Sequence, residues 1–208
     1  MLIVVDGCVG VGKTTVARGL ALYRGSRTIL EAFETNPFLE AFYKDPARNA
    51  LETEIAFLLL HYHQLKQENN ASEESEAIAD FHLRKDSLYA QANIPDPRSQ
   101  KAFSGLYKFL LNHVPAENLT IHLSAPTELL LERIRRRKRY YELTVAENYF
   151  VKINAAYEDF YAKFPGRLLR IPMDQWDFVG DPGLYAKLSM LIDEQTGAQG
   201  KHVHRWPK

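Results

Sequence analysis

One cysteine, Cys8, stands in the whole chain of 208 residues, so no intramolecular disulfide can staple the fold. Neither sign of charge is in excess, because 26 lysines and arginines balance 26 aspartates and glutamates. A chain whose main partner is nucleic acid usually carries a basic surplus to meet phosphates, and this one does not. No apolar run is long enough to span a bilayer. The N-terminus passes straight into an apolar strand, without the pattern of a secretory leader. A cytoplasmic protein with no membrane partner is the expectation. Internal repeats and clear linkers are lacking too. With 46% hydrophobic and 25% charged residues, the composition suits one α/β domain able to bury a sizeable core.

Against these absences one segment stands out. Gly7-Cys8-Val9-Gly10-Val11-Gly12-Lys13-Thr14 fits G-x-x-x-x-G-K-[ST], the P-loop pattern. The apolar run Leu2-Ile3-Val4-Val5 precedes it and reads as a buried parallel strand. Thr15 to Leu22 follows and reads as a helix. The glycines let successive backbone N–H groups converge on phosphate oxygens, and the helix N-terminus adds its positive dipole end. Lys13 is the expected charge on the terminal phosphates, and Thr14 the expected Mg²⁺ ligand. Residues Gly7 through Thr15 therefore form the expected nucleotide site. Cys8 reads there as a filler and an oxidation-sensitive spot rather than a nucleophile.

Five strands are expected, at Leu2–Val5, Thr28–Glu31, Ala77–Asp80, Leu119–Leu123 and Leu168–Ile171, alternating with helices. Such alternation predicts a parallel sheet covered on both faces, with function at the C-terminal strand ends. Residues 67–76 read as a polar surface loop, and Ile94-Pro95-Asp96-Pro97 as a turn before a helix. Residues 1–196 are expected to form one domain, and 197–208 a loose tail.

Further motifs follow the second strand. They are Asn36-Pro37-Phe38-Leu39 with Phe42-Tyr43, then Glu54 heading an apolar helix, and Gln64-Leu65-Lys66-Gln67. Later come the arginine run from Arg133 to Arg139 and Asp177-Phe178-Val179. With the P-loop, this series resembles the deoxynucleoside kinase family, closest to the bacterial deoxyadenosine, deoxyguanosine and deoxycytidine kinases. The resemblance runs from about Leu2 to about Leu188. It implies an α/β P-loop NTPase fold, a three-layer sandwich with a five-stranded parallel sheet. It also implies transfer of the ATP γ-phosphoryl to a nucleoside 5′-hydroxyl.

The resemblance makes Glu31 the carboxylate that takes the hydroxyl proton, with Glu34 as a nearby competitor. It makes Asp80 a Mg²⁺-associated carboxylate beside Thr14, although a helix N-cap is an alternative reading. It makes the segment near 133–142 a lid, in which Arg133, Arg137 and Arg139 neutralise charge on the transferring group. Arg133 and Arg137, four apart, share a helix face and could meet one anion. Glu142 and Tyr43 are implied at the sugar 3′-hydroxyl, Glu54 and Asp86 at the nucleobase, and Asp177 with Phe178 near the adenine of ATP. Homodimers pairing through the long helix from about Asn49 to about Gln67 are implied as well.

Three positions depart from the family. Most members follow the acid at Asp80 with arginine, whereas this chain has Phe81. If a helix begins near Asp80, Lys85 lies one turn beyond Phe81 on nearly the same face. Lys85, or less so Arg84, is then expected to restore the charge, unless both are solvated surface residues. The lid usually has glycine where this chain has Lys138, which is expected to stiffen closure. Glu54 replaces the usual glutamine, and as an ionised acceptor it predicts deoxyguanosine ahead of deoxycytidine, with adenine and cytosine disfavoured unless Glu54 holds a proton. His61 reads as a structural histidine. The departures leave open a kinase for another acceptor, such as a nucleoside monophosphate or a pterin-like ring, and a nucleotide-binding regulator without turnover.

Overall fold

The structure, a computed structural model, describes residues 1–68, 75–140, 142 and 145–197. Most of the expected polar loop and nearly all of the expected tail lie outside the described residues. Among them run β1 (Leu2–Asp6), α1 (Lys13–Arg24), β2 (Arg27–Ile29), α2 (Leu39–Lys44), α3 (Pro46–Glu68) and β3 (Ala77–Ala79). Then follow α4 (Leu83–Asn93), α5 (Pro97–Leu111), β4 (Leu119–Ser124), α6 (Thr127–Arg137), α7 (Glu147–Ala162), β5 (Leu168–Pro172) and α8 (Leu184–Thr196).

All strand pairings are parallel, in the order β2-β3-β1-β4-β5. Burial on both faces makes β1 an unbroken apolar run, whose side chains alternate between two cores. Ile3 and Val5 pack with Val16 and Leu20 of α1 and Leu188 and Ile192 of α8. Leu2 and Val4 pack with Leu58 and Leu65 of α3 and Phe103 of α5. The expected P-loop sandwich is therefore observed. The strand order reverses at β1, between β3 and β4, and the crevice above that point is where such sheets bind ligands.

Several boundaries differ from the sequence expectation. Helix α1 begins at Lys13, so Lys13 and Thr14 lie in its first turn. β2 stops at Ile29, and Glu31 lies beyond the strand because its N–H donates to Asp80 Oδ1 at 2.7 Å instead of to the ladder. Asp80 is not a helix cap. The cap of α4 is His82, whose Nδ1 accepts from Arg84 N–H. Phe81 thus precedes the helix and does not share a helical face with Lys85, whose ammonium nonetheless meets Glu31. The turn before α5 is as expected, with Asp96 accepting from the Ser99 N–H at 2.9 Å.

The end of α1 is tied to the entry of β3 and to α8 by one buried guanidinium. Arg24 donates to both Glu76 oxygens, at 2.7 and 2.8 Å, to Ser189 Oγ at 2.6 Å and to Asp193 Oδ1 at 3.0 Å. Removing one partner of such a buried pair strands the others. Arg24→Ala is expected to lower unfolding free energy by about 3–5 kcal/mol, read by urea denaturation. A loss below roughly 1 kcal/mol would mean the pair acts like an exposed one.

Candidate active site

The loop after β1 is shaped by glycines in a left-handed backbone. A Cβ on Gly7, φ +152°, would sit 2.4 Å from the Leu123 carbonyl oxygen. One on Gly10, φ +85°, would meet Ile134 Cγ1 at 2.9 Å. Only glycine permits both the turn and this approach of β4 and α6. Cys8 and Val11 turn their side chains into the core, so these positions offer backbone to a ligand and nothing more. Lys13 Nζ lies over the loop, donating to the Gly7 and Cys8 carbonyls at 2.8 and 3.2 Å. Burial and the nearby Lys85 ammonium draw it below its ordinary pKa.

Three strand ends converge beside this loop. Thr14 Oγ1 donates to Asp80 Oδ2 at 2.5 Å, while the other Asp80 oxygen accepts the Glu31 N–H. The Asp80 carboxylate so locks the Glu31 backbone to the P-loop helix. Glu31 itself is held by cations on both oxygens, with Lys85 Nζ 2.6 Å from Oε2 and His61 Nε2 3.2 Å from Oε1. Burial would push this carboxyl up. Lys85 and His61 outweigh burial and hold it well below the usual carboxylate range. Glu34, on the 3-10 turn Phe33–Thr35, is exposed. Arg84 points elsewhere, its Nε donating to Glu117 at 2.6 Å, so it cannot supply the missing charge.

A cleft of about 1030 Å³ opens over these groups, large enough for a nucleoside beside a triphosphate. Lys13, Thr14, Glu31, Tyr43, Glu54, Asp80, Lys85 and Asp86 all line it, with Arg133, Arg137, Arg139 and Glu142 on the opposite side. Asn36 secures one wall, with its Oδ1 accepting from the Phe38 N–H at 3.0 Å and its Nδ2 donating to the Thr53 carbonyl at 3.0 Å. That turn leads into α2, which brings Tyr43 to the cleft.

The arginines do not act as one open face. Arg133 donates to the Val11 and Met173 carbonyls, at 2.9 and 3.2 Å, and braces the P-loop against the end of β5. Arg137 and Arg139 both pair with buried Glu142, at 2.5 and 3.5 Å. The Arg139 guanidinium also lies 3.9 Å from the Phe33 ring centroid, joining the lid segment to the turn after Glu31. Arg135 faces outward and pairs with Glu147. The glycine-favouring position is real, since Lys138 closes α6 at φ +56°. Phe178 is a core residue, its ring tilted against Tyr185 with centroids 4.9 Å apart, and it reaches the cleft beside Asp177.

A family model described as deoxynucleoside kinase matches residues 3–193. The chain belongs to the deoxynucleoside kinase family. It is 30% identical over 158 residues to a deoxyguanosine kinase of Bacillus subtilis (strain 168), covering 75% of this chain and 76% of that protein. It is 27% identical to a deoxyguanosine kinase of Lactobacillus acidophilus, across 100% of this chain and 96% of the relative. The solved deoxyadenosine kinase from M. mycoides, with products dCMP and a flexible dCDP bound, superposes with a TM-score of 0.81. That match, at 25% identity, covers 93% of this chain and 99% of the other. The chain is thus a nucleoside-phosphorylating phosphotransferase. Among the described residues no helix is long and apolar enough to cross a membrane.

The structure bears on two further readings of this kinase's site. Glu54 is 3% exposed and accepts from Asn93 Nδ2 at 2.7 Å. Burial, aided by Asp86, pushes its carboxyl up to about 8, against the pull of Asn93. A carboxyl raised this far favours its proton at neutral pH, the condition under which adenine and cytosine edges are accepted as well. His61 is not a bystander in the core, because it bridges Glu31 and Asp86. The sequence held a signal for both. Glu54 and His61 are seven apart on α3, and Asp86 and Asn93 are seven apart on α4. Two helical turns place each pair on one face, so antiparallel helices match them rung to rung.

Cys8 is the filler expected, and only its reading as an oxidation-sensitive spot is corrected. It is buried, and desolvation raises its thiol to about 12, so little nucleophilic thiolate forms. The native kinase is expected to resist a disulfide reagent such as dithionitrobenzoate and to react with one equivalent only on unfolding. Rapid labelling of the folded protein would contradict this placement.

Proposed function

We propose that this kinase transfers the γ-phosphoryl of ATP to the 5′-hydroxyl of a deoxynucleoside, with Glu31 as the proton acceptor. The convergence of Lys13, the Thr14–Asp80 pair and ionised Glu31 on one cleft carries the reading. A carboxylate held this far below its ordinary pKa is a weak base. It suits a loose phosphoryl transfer, where orienting the alcohol matters more than stripping it early. The loop amides and Lys13 cradle the phosphates. Arg137 and Arg139, from the lid near 133–142, neutralise charge on the transferring group, while Arg133 keeps the loop in shape.

Thr14 and Asp80 are the residues that would hold Mg²⁺. No group of three or more His, Cys, Asp or Glu side chains is placed for a metal among the described residues. A hydroxyl touching one carboxylate fits a cation that takes its remaining ligands from phosphate and water. The ion would neutralise phosphate charge.

Tyr43 and Glu142 serve the sugar, Glu54 and Asp86 the nucleobase, and Asp177 with Phe178 the adenine of ATP. One catalytic domain over 1–196, a cytoplasmic setting and a homodimer belong to the same reading. Leu59, 46% exposed on α3, supports a two-fold contact through that helix.

ADP formation from Mg·ATP with each of the four deoxynucleosides tests the assignment, and Lys13→Ala is expected to abolish it. ATP binding without turnover on any of them would refute the acceptor.

Base preference should follow the proton on Glu54. Below about pH 8 its carboxyl offers a donor and an acceptor, as an amide does, and accepts adenine or cytosine edges. Above that pH it offers acceptors only, which suit the adjacent N–H donors of guanine. The ratio of kcat/KM for deoxyguanosine to that for deoxycytidine is expected to rise as pH climbs through 8. In Glu54→Gln the ratio should be flat, and a pH-independent ratio in the native kinase would defeat the assignment.

A further inference from the structure

Glu31 has a cation at each oxygen, but the two cations come from different helices. Lys85 of α4 meets Oε2, and His61 of α3 meets Oε1. The imidazole is 1% exposed, and its Nδ1 lies 2.9 and 3.0 Å from the two Asp86 oxygens. A neutral imidazole has one donor and one acceptor. A ring facing carboxylates through both nitrogens needs two N–H donors, so this geometry calls for the imidazolium. Phe81 is 0% exposed and lies against the same ring, centroids 4.7 Å apart, with Phe57 on it at 5.7 Å. The residue beside Asp80 therefore supplies a wall rather than a charge.

We propose that His61 and Lys85 form a two-piece cationic fork that orients ionised Glu31, with Asp86 holding the imidazolium in place. The inference rests on the reading of Glu31 given above. Both residues act through Glu31 and are positioning residues. Together they do what one guanidinium does with its two parallel N–H donors.

A split fork differs from a guanidinium in one respect, because one prong titrates. The groups facing His61 are Glu31 from the segment after β2, Asp86 and Lys85 from α4, and Glu54 on its own helix. Burial and Lys85 disfavour the charged ring, while Asp86 and Glu31 favour it strongly enough to hold it to about 9. The fork is complete at neutral pH and loses a prong as pH rises through about 9.

The ring is read directly by nitrogen NMR on the full chain, with His61 assigned through its contacts to Phe57 and Phe81. Two protonated ring nitrogens near neutral pH, deprotonating around pH 9, are expected. A singly protonated ring at neutral pH would overturn the fork, whether or not any acceptor has been found. In steady state, with Mg·ATP and the preferred deoxynucleoside, His61→Gln and Lys85→Met should each cut kcat by about 10- to 100-fold. The KM for ATP should stay within roughly threefold, since the fork acts on the acceptor side. The alkaline fall of kcat near pH 9 should vanish in His61→Gln, and Lys85→Arg should keep most of the rate. Unchanged kcat in His61→Gln or Lys85→Met would overturn the proposal. Failure of the native kinase on every deoxynucleoside would fault the acceptor assignment instead, and the ring titration would still decide the fork.

Discussion

A buried carboxylate must be paired or lose its charge, and the site is organised around how Glu31 meets that constraint. Along Lys85, Glu31, His61 and Asp86 acidic and basic groups alternate, so each meets a partner of the opposite kind. The arrangement ties α3 and α4 to the segment that leaves β2. Glu54 sits one rung away, near Asp86 but without a cation in contact. It resolves the same constraint in the opposite way, by keeping its proton. Two glutamates in one cleft thus do different chemistry because of their neighbours.

The parallel sheet makes this cluster possible. Three adjacent strands, β2, β3 and β1, deliver Glu31, Asp80 and the phosphate loop to one edge, and Asp80 bonds to both of the others. The helix that follows the P-loop and the Glu31 backbone are therefore joined through a single carboxylate. Donor and acceptor can be fixed relative to each other only if the groups that hold them are, and reaction rate depends steeply on that geometry.

The opposite side of the cleft is built from charge already in use. Arg133 holds backbone carbonyls of the loop, while Arg137 and Arg139 share Glu142. The same arginines link the lid segment to the loop below it and to Phe33 across the mouth.

Much of this was legible in the chain. The apolar strand, the glycine spacing and the lysine of the P-loop act through backbone shape and local contacts, so residues 2–22 announce a nucleotide site alone. Strand alternation likewise announces a parallel sheet, because burial on both faces demands continuous apolar runs. The positions of Glu31, Asp80 and Lys85 could be marked, and Thr14 as the neighbour of Asp80, but not that His61 would join Glu31. What folding decided is charge state. Glu54 is neutral and Glu31 ionised, Arg84 points away while Lys85 points in, and His61 belongs to the site. Each outcome depends on which groups from distant segments meet in a place that excludes water. Local sequence sets which residues can carry charge, and only the packed structure sets the desolvation and the neighbours that decide whether they do.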